Sequence, residues 1–506
     1  MTRSAVGNYL SKSLSRDFTA SIVVFLVAMP LCMGIAVASG VPAEKGLITG
    51  IIGGLVVGLF AGSPLQVSGP AAGLAVIVFE IVREQGIAAL APILIIAGII
   101  QILAGVLKLG GWFRAISPAV VHGMLAGIGA LIVIGQFHVL FDHKPLPHGL
   151  QNLAAMPGRV LGLSFSNVQA TELALLIGII TIATMLLWEK YRPARLKLVP
   201  GALVGVLAGT LVAFVPGLDV ARVEVPSSIF AAVNVPDGAL FSSLFNPAIL
   251  ATALAIAFIA SAETLLSAAA VDRMHDGPRT NYDKELRAQG IGNLLCGAAG
   301  SIPMTGVIVR SSANVQAGAV TRVSTILHGA WILGFVALLP WLLREIPMAA
   351  LGGILVITGW RLVSLTHVRH LFHQYGVLPA LIWVATFVMV VSTDLLTGVL
   401  IGLGLSLLEL VPHARKLRLK VDERQDEDRS VIALNGAATF VTLPKLSKAL
   451  DAVPAGQGVR LDLHQLSAID HTCAEMLNDW LLRKRQSGAA VELSGADSRH
   501  RVLVAA

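Results

Sequence analysis

The chain is short of charge, of cysteine and of aromatic residues. Asp, Glu, Lys and Arg together make up 13% of its 506 residues, about half of what a soluble globular chain carries. That shortage excludes a disordered chain, a nucleic-acid binder and an ordinary cytosolic enzyme. Three cysteines, Cys32, Cys296 and Cys473, are odd in number and far apart, so they supply neither a disulfide framework nor a metal-ligand spacing. No His/Asp/Cys constellation points to catalysis, and no cofactor or metal is expected. Residues 1–17 carry Arg3, Lys12 and Arg16, and no A-x-A site closes the first apolar run, so no cleavable signal is expected.

What is plentiful is apolar. Hydrophobic residues make up 55% of the chain and the mean hydropathy is +0.78. Fifty glycines without a G-X-Y period exclude collagen and suit close helix packing in lipid. A span takes about 20 mostly apolar residues. Full or partial spans are expected near 18–39, 46–61, 70–84, 88–108, 117–140, 170–188 and 198–216. A second set follows near 247–271, 285–300, 311–320, 323–342, 347–362, 376–392 and 394–411. With the N-terminus inside, the inner segments of this fourteen-span helical membrane fold hold twenty Lys and Arg and the outer segments six. This bias obeys the positive-inside rule and predicts an even number of spans with both termini cytoplasmic.

Seven spans per half would invert the second half relative to the first, as in secondary transporters. The third segment of each half, 70–84 and 311–320, is too short or too rich in small residues to cross alone. Each follows a short stretch expected to be extended, Leu65-Gln66-Val67-Ser68 and Val307-Ile308-Val309. Paired interrupted segments of this kind point to a midplane substrate site. After Pro412 the composition changes. Residues 413–429 read as a charged linker, and strands alternating with helices over 430–506 predict a small α/β domain.

Two ionisable residues lie where charge is costly: Glu263 within IAFIASAETLLSAAAV, and Arg310 at the start of the second broken helix. Such residues usually face a cavity and mark a pathway. Helix starts after Ser68-Gly69-Pro70 and around Arg310 would present unpaired N–H groups and partial positive charge to one place. Proline suits a first turn, and Gly69 allows close backbone approach. Ser68, Ser311 and Ser312 offer hydroxyls. Two helix ends and one guanidinium make a site for a small anion. Glu263, with Ser267 at i+4 on the same face, could exchange a proton or give oxygen ligands to a sodium ion. The lone carboxylate favours the proton. His122 and His328 read as packed, hydrogen-bonded residues, and Glu80 as reaching the outer surface beside Arg83. The cluster His367, Arg369, His370 and His373 reads as a cytoplasmic loop and not as a metal site.

The sequence resembles the sulfate permease (SulP) family, called solute carrier family 26 in animals. The likeness rests on Asp17, on Pro30-Leu31-Cys32-Met33-Gly34-Ile35-Ala36, on Val67-Ser68-Gly69-Pro70 and on Glu263-Thr264-Leu265-Leu266-Ser267. It rests most heavily on the run from Asn281 through Glu285, Gln289-Gly290-Ile291-Gly292-Asn293 and Pro303-Met304-Thr305-Gly306 to Arg310-Ser311-Ser312-Ala313-Asn314. The last segment resembles a STAS domain. The resemblance implies a 7+7 inverted repeat with core and gate domains at 18–412, a cytoplasmic STAS domain at 430–506, elevator transport and a homodimer in the bacterial cytoplasmic membrane. It places an anion against Ser68, Gly69, Pro70, Ala71 and Ala72 on one side and Arg310, Ser311 and Ser312 on the other, bordered by Pro30 and Met33. Glu263 and Ser267 take the cation-coupling position. Leu31 stands where glutamine is common, and the STAS loop reads Asp470-His471-Thr472 in place of Asp-Ser. The expected substrate is bicarbonate or sulfate, with a dicarboxylate carrier, a sodium-coupled bicarbonate symporter and a channel or exchanger as alternatives. The STAS domain would serve a cytosolic partner.

Overall fold

The computed structural model describes residues 3–495, apart from 114–116, 147, 165–168, 227, 234–243, 245, 276, 365–367, 370–371, 374–375, 411–418, 427–428, 455–456 and 487. His367, His370 and the first part of the expected linker therefore lie outside the described residues. Residues 1–110, 126–363 and 391–395 make one compact unit, and 111–125, 364–390 and 396–506 make a second.

Each of the fourteen predicted apolar segments falls on a helix. Among the described residues, six helices are long and apolar enough to cross a membrane: Ser13–Ala38, Ala43–Phe60, Ile87–Val106, Pro118–Leu140, Ala170–Tyr191 and Pro247–Asp272. The first helix runs from Arg3 to Ala38, 36 residues without a break at Pro30. At 1.5 Å per residue that is about 54 Å, well over the roughly 30 Å hydrocarbon core.

Glycine sets how closely the helices of the first unit approach. A Cβ on Gly98 would lie 2.6 Å from the carbonyl oxygen of Gly290, and one on Gly290 would lie 2.6 Å from that of Gly98. Helices Leu90–Val106 and Tyr282–Ala298 therefore touch backbone to backbone. Gly54 and Gly329 join two further helices in the same way. In lipid, where no hydrophobic force draws helices together, such contact supplies the packing.

Two three-residue strands cross inside this unit. Strand β1 (Ser68–Pro70) pairs antiparallel with β2 (Met304–Gly306), in the register Ser68 with Gly306 and Pro70 with Met304. The extended backbone thus lies a few residues from the stretches expected at 65–68 and 307–309. Val307-Ile308-Val309 is β-branched and reads as a strand, yet Val307 caps a helix that starts at Ile308. Pro70 likewise ends β1 instead of opening a helix, whose first residue is Ala72.

The first unit also holds a helix the sequence reading missed, Gly149–Leu161. The second unit contains a five-stranded sheet. Its path is β3 (Leu419–Asp426), β4 (Arg429–Ala438), β5 (Gly458–Asp462) and β7 (Val491–Ser494), with β6 (Leu466–Ile469) also paired to β4. Only β3 is antiparallel to its neighbour; the other pairs are parallel. Helices Leu443–Asp451 and His471–Gln486 cover a core built from Ile432, Leu434, Leu446, Leu461, Leu477 and Trp480. The sheet begins inside 413–429, the stretch read as a linker. Leu419 and Val421 alternate with charged residues as a half-buried strand requires, but the charges hide that pattern.

Candidate anion site

The crossing of β1 and β2 positions the site. Because the strands are antiparallel, the chain leaves them in opposite directions, into helix Ala72–Gln85 on one side and Ile308–Gln316 on the other. Both helices begin at the crossing and neither N-terminus receives a side-chain cap. Their first-turn N–H groups lack the acceptors four residues back that a helix interior has, although the Leu74 N–H donates to the Ala71 carbonyl at 3.2 Å. Their partial positive charges face one region.

A ladder of polar side chains builds the crossing. Glu285, Gln289 and Asn293 sit four residues apart on helix Tyr282–Ala298, on one face. Glu285 accepts from the backbone N–H groups of Gly62 and Ser63 at 2.7 and 2.8 Å. Gln289 donates to the Ser68 hydroxyl at 2.5 Å. Asn293 accepts from the Met304 N–H at 2.8 Å and donates to the Met304 carbonyl at 3.1 Å and to Gln101 at 2.8 Å. Gln66 and Thr264 hold the other side: Gln66 donates to the Thr264 carbonyl, and Gly306 N–H donates to the Thr264 hydroxyl. Asn314 donates to the Leu65 carbonyl at 3.0 Å. The i, i+4, i+8 spacing of Glu285, Gln289 and Asn293 is visible in the sequence; the groups they face are not.

Arg310, in the first turn of its helix, is completely buried. None of its three guanidinium nitrogens has a hydrogen-bond partner among the described residues. It lies over Gly69, where a Cβ would fall 2.2 Å from Nη1, so only glycine leaves it room. The wall continues through Gly50, where a Cβ would meet the Cys32 sulfur at 2.7 Å. Beside the sealed arginine, Ile308 and Val309 are 38% and 42% exposed, so the same helix start borders open space.

Glu263 lies at the other helix start. A Cβ on Gly73, in the first turn of helix Ala72–Gln85, would fall 2.6 Å from its Oε2. Among the described residues that buried oxygen has no hydrogen-bond partner, and neither carboxylate oxygen bonds to Arg310. The acid and the base flank the crossing separately. They do not form a helix-pinning ion pair.

The remaining predicted residues divide. Ala71 is the buried cap position and Ala72 the first helical residue. Pro30 and Met33 are buried in the first helix, and Ser267 is buried one turn beyond Glu263. The three serine hydroxyls already have protein partners. Ser68 accepts from Gln289; Ser311 donates to the Val307 carbonyl and accepts from Val67 N–H; Ser312 accepts from Gln316. Ser311 thereby ties the strand before β1 to the second helix start. His328 is buried with its Nδ1 against the Thr325 carbonyl, the packed role expected. Glu80 turns into a cleft of about 550 Å³, counting its open part, which Gln136 and Asn152 also line. Arg83 pairs instead with Glu84 at 2.9 Å.

A helical membrane unit with two helix starts and a buried arginine at a strand crossing, joined to an α/β domain, has the form of a membrane anion transporter. The chain belongs to the sulfate permease family, whose model matches residues 14–386, and a Mlab, STAS domain model matches 421–506. YvdB of Bacillus subtilis, which carries the provisional name of a sulfate transporter, is 29% identical over 460 residues, 87% of this chain and 83% of YvdB. The solved transmembrane domain of a cyanobacterial bicarbonate transporter, BicA, superposes with a TM-score of 0.66 at 25% identity, covering 76% of this chain and 97% of BicA's. The murine anion transporter Slc26a9, in an inward-facing state, shares the fold over the whole chain and 91% of its own, with a TM-score of 0.67 at 14% identity.

Proposed function

We propose that the protein is a secondary active transporter of a small inorganic anion, bicarbonate or sulfate. The anion is held between the two helix starts and Arg310, moved by an elevator displacement, and coupled to protons through Glu263. Fourteen segments in a 7+7 inverted repeat, both termini in the cytoplasm of a bacterium and a homodimer complete the reading. The STAS domain serves a cytosolic partner.

One observation carries it: the fully buried Arg310 guanidinium, which no carboxylate among the described residues pairs with. A desolvated, unpaired ion costs several kcal/mol, so the site is balanced only when an anion occupies it. Glycine walls at Gly69 and Gly50 favour a small one. Sulfate and bicarbonate are the anions in the names of YvdB and BicA. Proton coupling is supported by the separation of Glu263 from Arg310, since the carboxylate can gain and lose a proton without breaking an ion pair.

Counterflow in proteoliposomes tests the proposal, with labelled bicarbonate, sulfate or a dicarboxylate, with and without sodium and a pH gradient. Saturable exchange of a small anion, driven by the proton gradient and indifferent to sodium, is the expected outcome. Flux that requires sodium would overturn the proton role, and flux that does not saturate would replace the carrier with a channel.

A further inference from the structure

The helix Gly149–Leu161 joins helix Pro118–Leu140 to helix Ala170–Tyr191. Both neighbours are long enough to span, so this 13-residue helix begins and ends on the same side of the bilayer. At 100° per residue, Leu150, Leu153, Pro157, Val160 and Leu161 fall on one face at i, i+3, i+7, i+10 and i+11. This apolar face is the outward one. Leu150, Leu153, Val160 and Leu161 are 51%, 49%, 51% and 85% exposed. Of the polar residues, Gln151 is exposed to the side and Asn152 faces the protein. Asn152 is buried, donates to the Leu146 and His148 carbonyls at 2.7 and 3.0 Å, and accepts from the Leu146 N–H at 2.7 Å. Its backbone carbonyl meets the ring of the buried His138 at 3.1 Å.

In water this arrangement is inverted, because it exposes the leucines and turns asparagine inward. The next spanning helix also exposes apolar residues, Leu176, Ile179 and Leu187, the kind of surface a membrane protein gives to lipid. We propose that Gly149–Leu161 is an interfacial helix, bedded by its leucine face at the boundary between headgroups and acyl chains and clamped to the spanning bundle by Asn152.

The test uses the full-length protein in phosphatidylcholine–phosphatidylglycerol vesicles. The three native cysteines are buried, so a nitroxide can be placed selectively at Leu153→Cys or Gln151→Cys, with the unmutated protein as the background control. A label at 153 is expected to collide several-fold more often with lipid-soluble oxygen than with aqueous nickel chelate, and a label at 151 to show the reverse preference. If Leu153→Cys does not fold, Val160→Cys reports the same face. Equal preference for the nickel chelate at both positions would place the helix in water and overturn the proposal. Short-range spin–spin broadening between copies at 153 would also overturn it, by showing that a second protein chain covers the face.

Discussion

Replacing Arg310 by Ala removes a buried cation that no carboxylate among the described residues pairs with. In anion-free buffer the variant is therefore expected to melt no earlier than the parent, while uptake into proteoliposomes falls to background. A melting temperature lower by several degrees would instead make Arg310 a structural residue. Gly69→Ala acts on the same group, since the added methyl would lie 2.2 Å from Nη1. The obstacle is the end of a flexible side chain, so the fold should survive with the guanidinium displaced. At least a tenfold weaker anion affinity, about 1.4 kcal/mol, is expected by isothermal titration. Glu263→Gln keeps the shape of the side chain but cannot lose a proton, so flux is expected to persist without its response to a pH gradient. An undiminished response would remove Glu263 from the coupling role.

At the scale of elements, the polar ladder on helix Tyr282–Ala298 should govern stability. Asn293→Ala leaves the Met304 N–H and carbonyl without the partners that hold β2. Two orphaned buried groups cost roughly 3 kcal/mol, so a clear drop in apparent melting temperature is expected by scanning fluorimetry. The apolar helices were legible from the sequence because each carries its signal within itself. Arg310 and Glu263 were legible because charge within an apolar run stands out. The exact positions of β1 and β2 were not, although extended stretches were expected at 65–68 and 307–309, because a three-residue strand is specified by its partner, and Ser68 meets Gly306 far along the chain. The serine hydroxyls looked available for the same reason: their protein partners, Gln289 for Ser68 and Val67 with Val307 for Ser311, come from folding. Gly149–Leu161 escaped because its leucines, spaced as in an ordinary amphipathic helix, gave no sign of pointing outward.

At the scale of the molecule, the C-terminal domain should depend on where it is taken to begin. A fragment starting at 430 loses β3, which pairs with β4 from Leu419–Gly436 to Asp426–Arg429, and is expected to be poorly folded by circular dichroism. One starting at 418 keeps the whole sheet. Within that domain, burial pushes the Cys473 thiol up, and Asp470 adds to the effect. A thiol held in its neutral form is a poor nucleophile. Maleimide at pH 7.5 is therefore expected to leave Cys473 unmodified in the native protein and to react with it after denaturation. Rapid native labelling would contradict the buried core around Trp480.

The pairing of β1 with β2 also fixes when this protein can be finished. A ribosome adds about 5–20 residues each second, so residue 68 waits on the order of ten seconds or more for residue 306 to be made. Until the second half is made, the N–H groups of Gly62 and Ser63 lack Glu285, the Ser68 hydroxyl lacks Gln289, and β1 lacks its strand partner. The first half enters the membrane with these polar groups unmatched, and the insertion machinery must shelter them until the second half arrives.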